Sequence, residues 1–134
     1  MAKRPDLDAL LRAAERVRRN AHAPYSRFAV GAAVLAGGEV FAACNVENSS
    51  YPLSMCAERN AVAMAVAAGH HRIDALAVVG GKRRAAPPCG GCRQVLSEFA
   101  GPGVPVVYAL PGRKGRTETT IGELLPESFG AKDL

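Results

Sequence analysis

Two continuous apolar runs constrain the fold of this chain more than any other feature. They read "IDALAVVGG" (73–81) and "VPVVYAL" (104–110), and a helical pattern at 89–100 lies between them. A strand that is apolar along its whole length is typical of the centre of a sheet with both faces covered. The pattern therefore predicts an α/β domain in which helices pack on the faces of the sheet.

The remaining segments predict further elements. Leucines and alanines at helical spacing indicate a first helix at 6–20. Two small apolar runs within "FAVGAAVLAGGEVFAACN" (28–45) indicate a β-hairpin. A second helix is predicted at 56–68, with Gly69 as its C-terminal cap. A short strand and a short helix are predicted near Leu124, followed by a tail.

Length and composition limit the classes of protein that fit. The 134 residues fit one domain (1–134), which is large enough for a hydrophobic core without disulfides. The N-terminal stretch lacks a secretory apolar region and no run is long enough to cross a membrane, so we expect a cytoplasmic protein. The net charge of +5 lacks the interleaved aromatic residues that a base-stacking surface needs. Nucleic-acid binding is retained only as an alternative.

Four cysteines in a reducing compartment favour metal binding or catalysis over disulfides. Cys89 and Cys92 have a metal-ligand spacing, although the same spacing also occurs in redox pairs. Cys56 opens another predicted helix, and helix N-termini favour the thiolate form. Three thiolates and one open position are typical of catalytic zinc. Cys44 would close the site, but its small apolar surroundings favour a buried, inert thiol.

Two charged residues follow Cys56 directly. Glu58 lies ~200° around the helix from Cys56, so it cannot easily share the ion and can instead stand across the open position to transfer protons. Its alternative role is to complement the helix dipole. Arg59 lies on the Cys56 face, where it can donate to metal-bound sulfur and tune the metal. Its alternative is an exposed surface arginine.

These residues resemble a known signature. "CAE" (56–58) followed by "PCGGC" (88–92) resembles the signature of the zinc nucleobase deaminases, with cysteine instead of histidine as the first ligand. The wider stretches "CNVENSSYPLSMCAERNAV", "PCGGCRQVLSEF" and "ELLPESFGAKDL" occur in the same order as in the small homotetrameric zinc-dependent cytidine deaminases. The resemblance runs from about Tyr25 to Leu134, and Gly91 stands where alanine is common.

The resemblance implies a fold and an activity. The fold would be a three-layer α/β/α sandwich around a mixed, mainly parallel five-stranded sheet, assembled as a homotetramer. The activity would be the hydrolytic deamination of cytidine and deoxycytidine to uridine and deoxyuridine with release of ammonia, in pyrimidine nucleoside salvage. Each subunit would bind one zinc ion.

The resemblance also implies roles for individual residues. Glu58 would shuttle protons, with Arg59 behind the metal ligands, and Tyr51 would lie near a subunit interface. The zinc ligands would be Cys56, Cys89 and Cys92. The nucleoside would contact Phe28, Asn45, Glu47, the backbone of Ala57, and Phe129 from a neighbouring subunit.

Three alternatives remain at this point. A blasticidin-type deaminase has similar zinc motifs, but the "ELLPESFG" ending favours the nucleoside enzyme. A zinc-stabilised RNA-binding module would need a closed site with four cysteine ligands, Cys44 among them. A dithiol oxidoreductase would use the Cys89–Cys92 pair without any metal.

Overall fold

The computed structural model describes residues 4–112 and 114–134, and it contains the elements that the sequence predicts. Single 3₁₀ turns add to these at Tyr51–Leu53 and Ala131–Asp133. The helices are α1 (Leu7–Arg18), α2 (Ala57–Ala67), α3 (Gly90–Phe99) and α4 (Ile121–Leu124). The strands are β1 (Gly31–Ala36), β2 (Glu39–Cys44), β3 (Ala75–Val79), β4 (Pro105–Ala109) and β5 (Arg116–Thr120).

The five strands form one sheet in the order β2-β1-β3-β4-β5. Strands β1 and β2 form the predicted hairpin, whose two-residue turn uses positive φ angles of 58° at Gly37 and 78° at Gly38. Strand β1 pairs antiparallel with β3 (Val34 opposite Leu76), and β4 pairs antiparallel with β5. Strands β3 and β4 are parallel, because α3 crosses between them.

The three-layer α/β/α class with a mixed five-stranded sheet is confirmed, but the expectation of a mainly parallel sheet is wrong. Of the four neighbouring pairs in this sheet, three are antiparallel. The reason lies in the connections. Short links join β1 to β2 and β4 to β5, and a short link cannot return the chain to the start of a parallel neighbour. This accounts for two of the three antiparallel pairs.

Each face of the sheet buries its own core. Helix α1 covers one face, where Leu10 and Ala14 pack with Ala77 and Val107. Helices α2 and α3 cover the other, and α2 contributes mostly alanine to this contact. Because alanine side chains are short, α2 can lie close to the sheet and bring its N-terminus near the end of β3. In the described residues, no helix has the length and apolar character needed to cross a membrane.

Gly31 allows the close approach of α1 to β1. A β-carbon at Gly31 would lie 1.9 Å from the backbone oxygen of Ala14, and backbone cannot move aside as a side chain can. We expect Gly31→Ala to lower the free energy of unfolding by about 2–3 kcal/mol, as overpacking does. Urea denaturation measures this loss. The control is Gly103→Ala, since a β-carbon there meets nothing within 4 Å. Equal effects of the two substitutions would contradict this account of the packing.

Candidate active site

Two helix N-termini bring three thiols together. Cys56 is the N-cap residue of α2 and Cys89 that of α3, and both have extended backbone angles. Neither side chain caps the backbone N–H groups of its helix, so both sulfurs can face a common point. Cys92 lies one turn further along α3 and is buried. The three Sγ atoms all lie within 4.8 Å of one another, and those of Cys89 and Cys92 are 3.5 Å apart.

The sulfurs of this thiol cluster affect one another's protonation. A hydrogen bond with Cys92, assisted by Arg59, lowers the pKa of Cys56 to about 5. The same contact with Cys56, together with burial, raises the pKa of Cys92. The protein groups by themselves therefore favour a single negative charge on Cys56, since like charges this close oppose one another. A divalent cation would offset the repulsion between negatively charged sulfurs and so allow all three to be deprotonated. The three-sulfur donor set fits zinc.

Cys44 lies apart from this cluster. It ends β2 and is half-buried, and its carbonyl accepts a hydrogen bond from the Asn60 side chain at 3.0 Å. The group of three candidate ligands formed by the described residues does not include it. Three protein ligands leave one position of a tetrahedral zinc open, which is the catalytic rather than the structural arrangement.

Glu58 is a buried carboxyl beside the thiols. Only 5% of the residue is exposed. Burial raises the pKa of Glu58 to about 7, and the negative charge of Cys56 adds to this effect. A carboxyl in this range exchanges a proton readily at neutral pH.

Arg59 lies where its helical spacing predicts. Its Nη2 is 3.5 Å from the sulfur of Cys56 and 3.4 Å from the backbone oxygen of Ser54. Its Nε is buried and has no hydrogen-bond partner among the described atoms. The guanidinium thus contacts the thiol cluster through Nη2.

A cavity of about 370 Å³ opens beside the thiols, a volume typical of small-molecule sites. Most of the predicted site residues meet in it. Its lining comprises Ser26, Phe28, Val30, Asn45, Glu47, Cys56, Ala57, Glu58, Val78, Ala86, Pro87 and Cys89.

Asn45 fixes the wall of this cavity. Its Oδ1 accepts from the backbone N–H of Val30, and its Nδ2 donates to the backbone oxygen of Phe28, both at 2.8 Å. The side chain thereby joins the end of β2 to the segment that leads into β1. Asn45 thus fixes this loop, and the residue also lines the cavity.

Glu47 and Ser26 form a polar corner of the cavity. Glu47 accepts from the backbone N–H groups of Tyr25 and Ser26 at 3.1 Å, and from the Ser26 hydroxyl. The hydroxyl contact is the main reason why the pKa of Glu47 is lowered. Ser26 also accepts from the backbone N–H of Phe28 at 3.0 Å. Sequence reasoning missed Ser26. The only signal was a hydroxyl in the short break "APYSR" just before a buried strand.

Two aromatic residues to which the resemblance assigns roles between subunits lie outside the cavity. Phe129 does not occur among the described residues that line the cavity, and 59% of it is exposed. Tyr51 is 70% exposed, and its ring centroid lies 5.7 Å from that of Tyr25. Large aromatic side chains with such exposure are free to contact another molecule.

Comparison with known proteins agrees with this geometry. A family model described as the cytidine and deoxycytidylate deaminase zinc-binding region matches residues 5–108. The cytidine deaminase of Sporosarcina psychrophila is 44% identical over 131 residues, covering 96% of this chain and 95% of that protein. The cytidine deaminase of Mycobacterium tuberculosis H37Rv is 44% identical over 133 residues, covering 97% and 96%.

Solved structures resemble the fold as well. The crystal structure of cytidine deaminase from Burkholderia pseudomallei superposes with a TM-score of 0.86 at 46% identity, covering 91% of this chain and 98% of that one. The Mycobacterium tuberculosis enzyme superposes with a TM-score of 0.81 at 42% identity, covering 95% and 99%.

Proposed function

The chain belongs to the family of cytidine and deoxycytidylate deaminases with a zinc-binding region, and from this premise we propose that it hydrolyses cytidine and deoxycytidine to uridine and deoxyuridine, releasing ammonia. One observation carries the proposal: three clustered thiols and a buried carboxyl meet at one nucleoside-sized cavity. An oxidoreductase pair would not need the third thiol, Cys56.

Cys56, Cys89 and Cys92 would hold one zinc ion per subunit. When bound, zinc acts as a Lewis acid that makes water nucleophilic near neutral pH. The two helix N-termini add partial positive charge, which favours the deprotonated sulfurs. The contact of the positively charged Arg59 with Cys56 also favours the deprotonated sulfur.

Glu58 would move the protons of the reaction. Its carboxylate takes a proton from the attacking water and delivers it to the ring nitrogen next to the amino-bearing carbon. The water oxygen bonds to the amino-bearing carbon, and the proton of the resulting hydroxyl then passes through Glu58 to the amino group. The carbon–nitrogen bond breaks as the carbonyl forms, and ammonia leaves. Burial supports this role, since it raises the pKa of Glu58 to about 7 and makes both directions of transfer accessible at neutral pH.

The other cavity residues would bind the nucleoside. Glu47 remains ionised, which suits an acceptor for ribose hydroxyls, and Asn45 lines the same cavity. Phe28 would pack against the nucleoside. The N–H of Ala57, in the first turn of α2, lacks an intrahelical partner and would donate to the pyrimidine carbonyl.

The activity is tested by incubating the purified protein with cytidine. We expect loss of cytidine absorbance with one ammonia released per uridine formed. A parallel incubation with blasticidin S addresses the other deaminase activity. Deamination of blasticidin S with no turnover of cytidine or deoxycytidine would overturn the proposal.

Arg59→Gln tests the role of the guanidinium. We expect kcat to fall about tenfold while zinc content stays unchanged, because the substitution removes a positive charge from the ligand sulfur without removing a ligand. The control is Arg72→Gln, because the 90%-exposed Arg72 side chain pairs with Asp74 on the surface. Unchanged kcat in Arg59→Gln would leave this residue with a packing role alone.

We further propose a cytoplasmic homotetramer that serves pyrimidine nucleoside salvage, with each site completed by Phe129 of a neighbouring subunit. The exposed rings of Phe129 and Tyr51 support contact between subunits. The free thiols of the cluster suit a reducing compartment. A single sheet that contains all five strands supports treating residues 1–134 as one domain.

Mixed tetramers test the sharing of sites. Phe129→Ala should lower kcat/KM about tenfold, the value of one base–aromatic stack, and Glu58→Ala should be nearly inactive. We expect the two variants, unfolded and refolded together, to show more activity per Glu58-bearing subunit than Phe129→Ala alone. In the mixed assembly, a Glu58→Ala subunit can lend its Phe129 to a neighbour that retains Glu58.

The control for this experiment is verified exchange of subunits, measured with two distinguishable tags. If the exchanged mixture gives only the sum of the two separate variants, Phe129 serves its own chain and the shared-site proposal is wrong.

A further inference from the structure

The helix that carries two of the thiols also holds the C-terminal segment (residues 125–134). Arg93 Nη1 donates to the backbone oxygen of Leu124 at 2.9 Å, just before this segment begins. Gln94 Nε2 donates to the backbone oxygen of Phe129 at 3.0 Å. These two adjacent residues follow Cys92 directly, so the segment is attached to α3 within one turn of a candidate zinc ligand.

Arg93 extends this connection towards the other thiol. Its Nε donates to the backbone oxygen of Pro88 at 2.7 Å, next to Cys89. Arg93 therefore connects the start of the C-terminal segment to the residue that precedes Cys89. Arg93 bonds both to Pro88 and to Leu124, so its side chain is part of the local structure around the thiol cluster. The side chain of Gln94, in the bonds described, contacts the C-terminal segment and not the thiol cluster.

The segment between the two anchors is a constrained turn. Glu127 has a φ of 49°, a left-handed conformation that costs a non-glycine residue roughly 1–2 kcal/mol. Such a conformation persists where the surrounding contacts determine it. After Phe129, the bonds between Gly130 and Asp133 are internal to the segment and do not attach it to the sheet or the helices.

We infer that Gln94 is a positioning residue: its side-chain amide fixes the main chain at Phe129 and thereby the place to which the exposed ring projects. This inference rests on the proposed function, in which that ring stacks on the base in a neighbouring site. Without the Gln94 bond, the Phe129 ring samples more positions. Substrate binding then has to immobilise the ring, which costs binding free energy. The effect therefore falls on nucleoside binding rather than on the proton transfers at Glu58.

Gln94→Met tests this inference, because methionine keeps the length of the side chain and removes the amide donor. We expect hydrogen exchange in residues 130–134 to accelerate about fivefold and KM for cytidine to rise about fivefold, the value of one hydrogen bond. We expect zinc content and kcat to stay within twofold of the wild type. Ser97→Ala is the matched control, since the Ser97 hydroxyl bonds to the Gln94 carbonyl within the same helix.

A double-mutant cycle separates positioning from a general structural effect. Adding Gln94→Met to Phe129→Ala should produce no further rise in KM, because the ring that Gln94 positions is already absent. A further fivefold rise would overturn the inference.

If hydrogen exchange of residues 130–134 is the same in Gln94→Met as in the wild type, the inference about Gln94 is wrong, whatever the activity. If the protein does not turn over cytidine while the exchange of residues 130–134 does accelerate, the anchoring by Gln94 stands and the proposed function fails.

Discussion

Replacing Glu58 with glutamine is expected to lower kcat for cytidine at least about 100-fold while zinc content and fold are kept. Glutamine has the shape and hydrogen-bonding capacity of the protonated carboxyl, so the buried site stays filled. It cannot accept a proton from water or return one to the ring nitrogen. The cavity position and the 5% exposure of Glu58 leave little bulk water to replace that function.

The matched control is Glu98→Gln, which makes the same chemical change on the exposed face of α3. It should leave kcat unchanged. Turnover at the wild-type level in a folded, zinc-loaded Glu58→Gln protein would show that Glu58 is not the proton carrier.

Replacing Cys89 with serine is expected to remove zinc and to abolish activity. A serine hydroxyl stays protonated near neutral pH and does not replace a thiolate as a ligand, so only two sulfurs remain in the cluster. Zinc per subunit, measured by plasma mass spectrometry after dialysis, checks the loss of metal. Loss of cytidine absorbance checks the loss of activity.

Cys44→Ser is the control for this substitution. It should keep zinc and activity, because Cys44 lies outside the group of three thiols. If both variants lose zinc to the same extent, the site is closed by four cysteines and the catalytic interpretation is wrong.

The helices and strands could be predicted because their signals are local. Apolar runs at 73–81 and 104–110 predicted β3 and β4, and the two small apolar runs at 28–45 predicted the hairpin. Whether neighbouring strands are parallel or antiparallel was predicted less well. This depends on the side and the end of the sheet to which each connection returns the chain. The antiparallel pairing of β1 with β3 joins strands more than thirty residues apart in the chain, and no short pattern encodes it.

Some features of the candidate site could likewise be predicted from local sequence, and others depend on the fold. Helical spacing placed Arg59 beside Cys56, and the structure has that contact at 3.5 Å. The meeting of Cys56 with Cys89 depends on two helices packing on one face of the sheet. The sequence suggested this meeting because both cysteines open predicted helices, and the family resemblance then supported it. Ser26 was missed because its role arises from Glu47, twenty-one residues away. The raised pKa of Glu58 likewise comes from burial, which local sequence does not determine.

The central claim, one zinc held by three cysteines with a fourth position open beside Glu58, is tested most directly by X-ray absorption at the zinc edge of the purified protein. The account predicts three sulfur neighbours at about 2.3 Å and one lighter oxygen or nitrogen neighbour at about 2.0 Å. Four sulfur neighbours would contradict it, as would a first shell without sulfur.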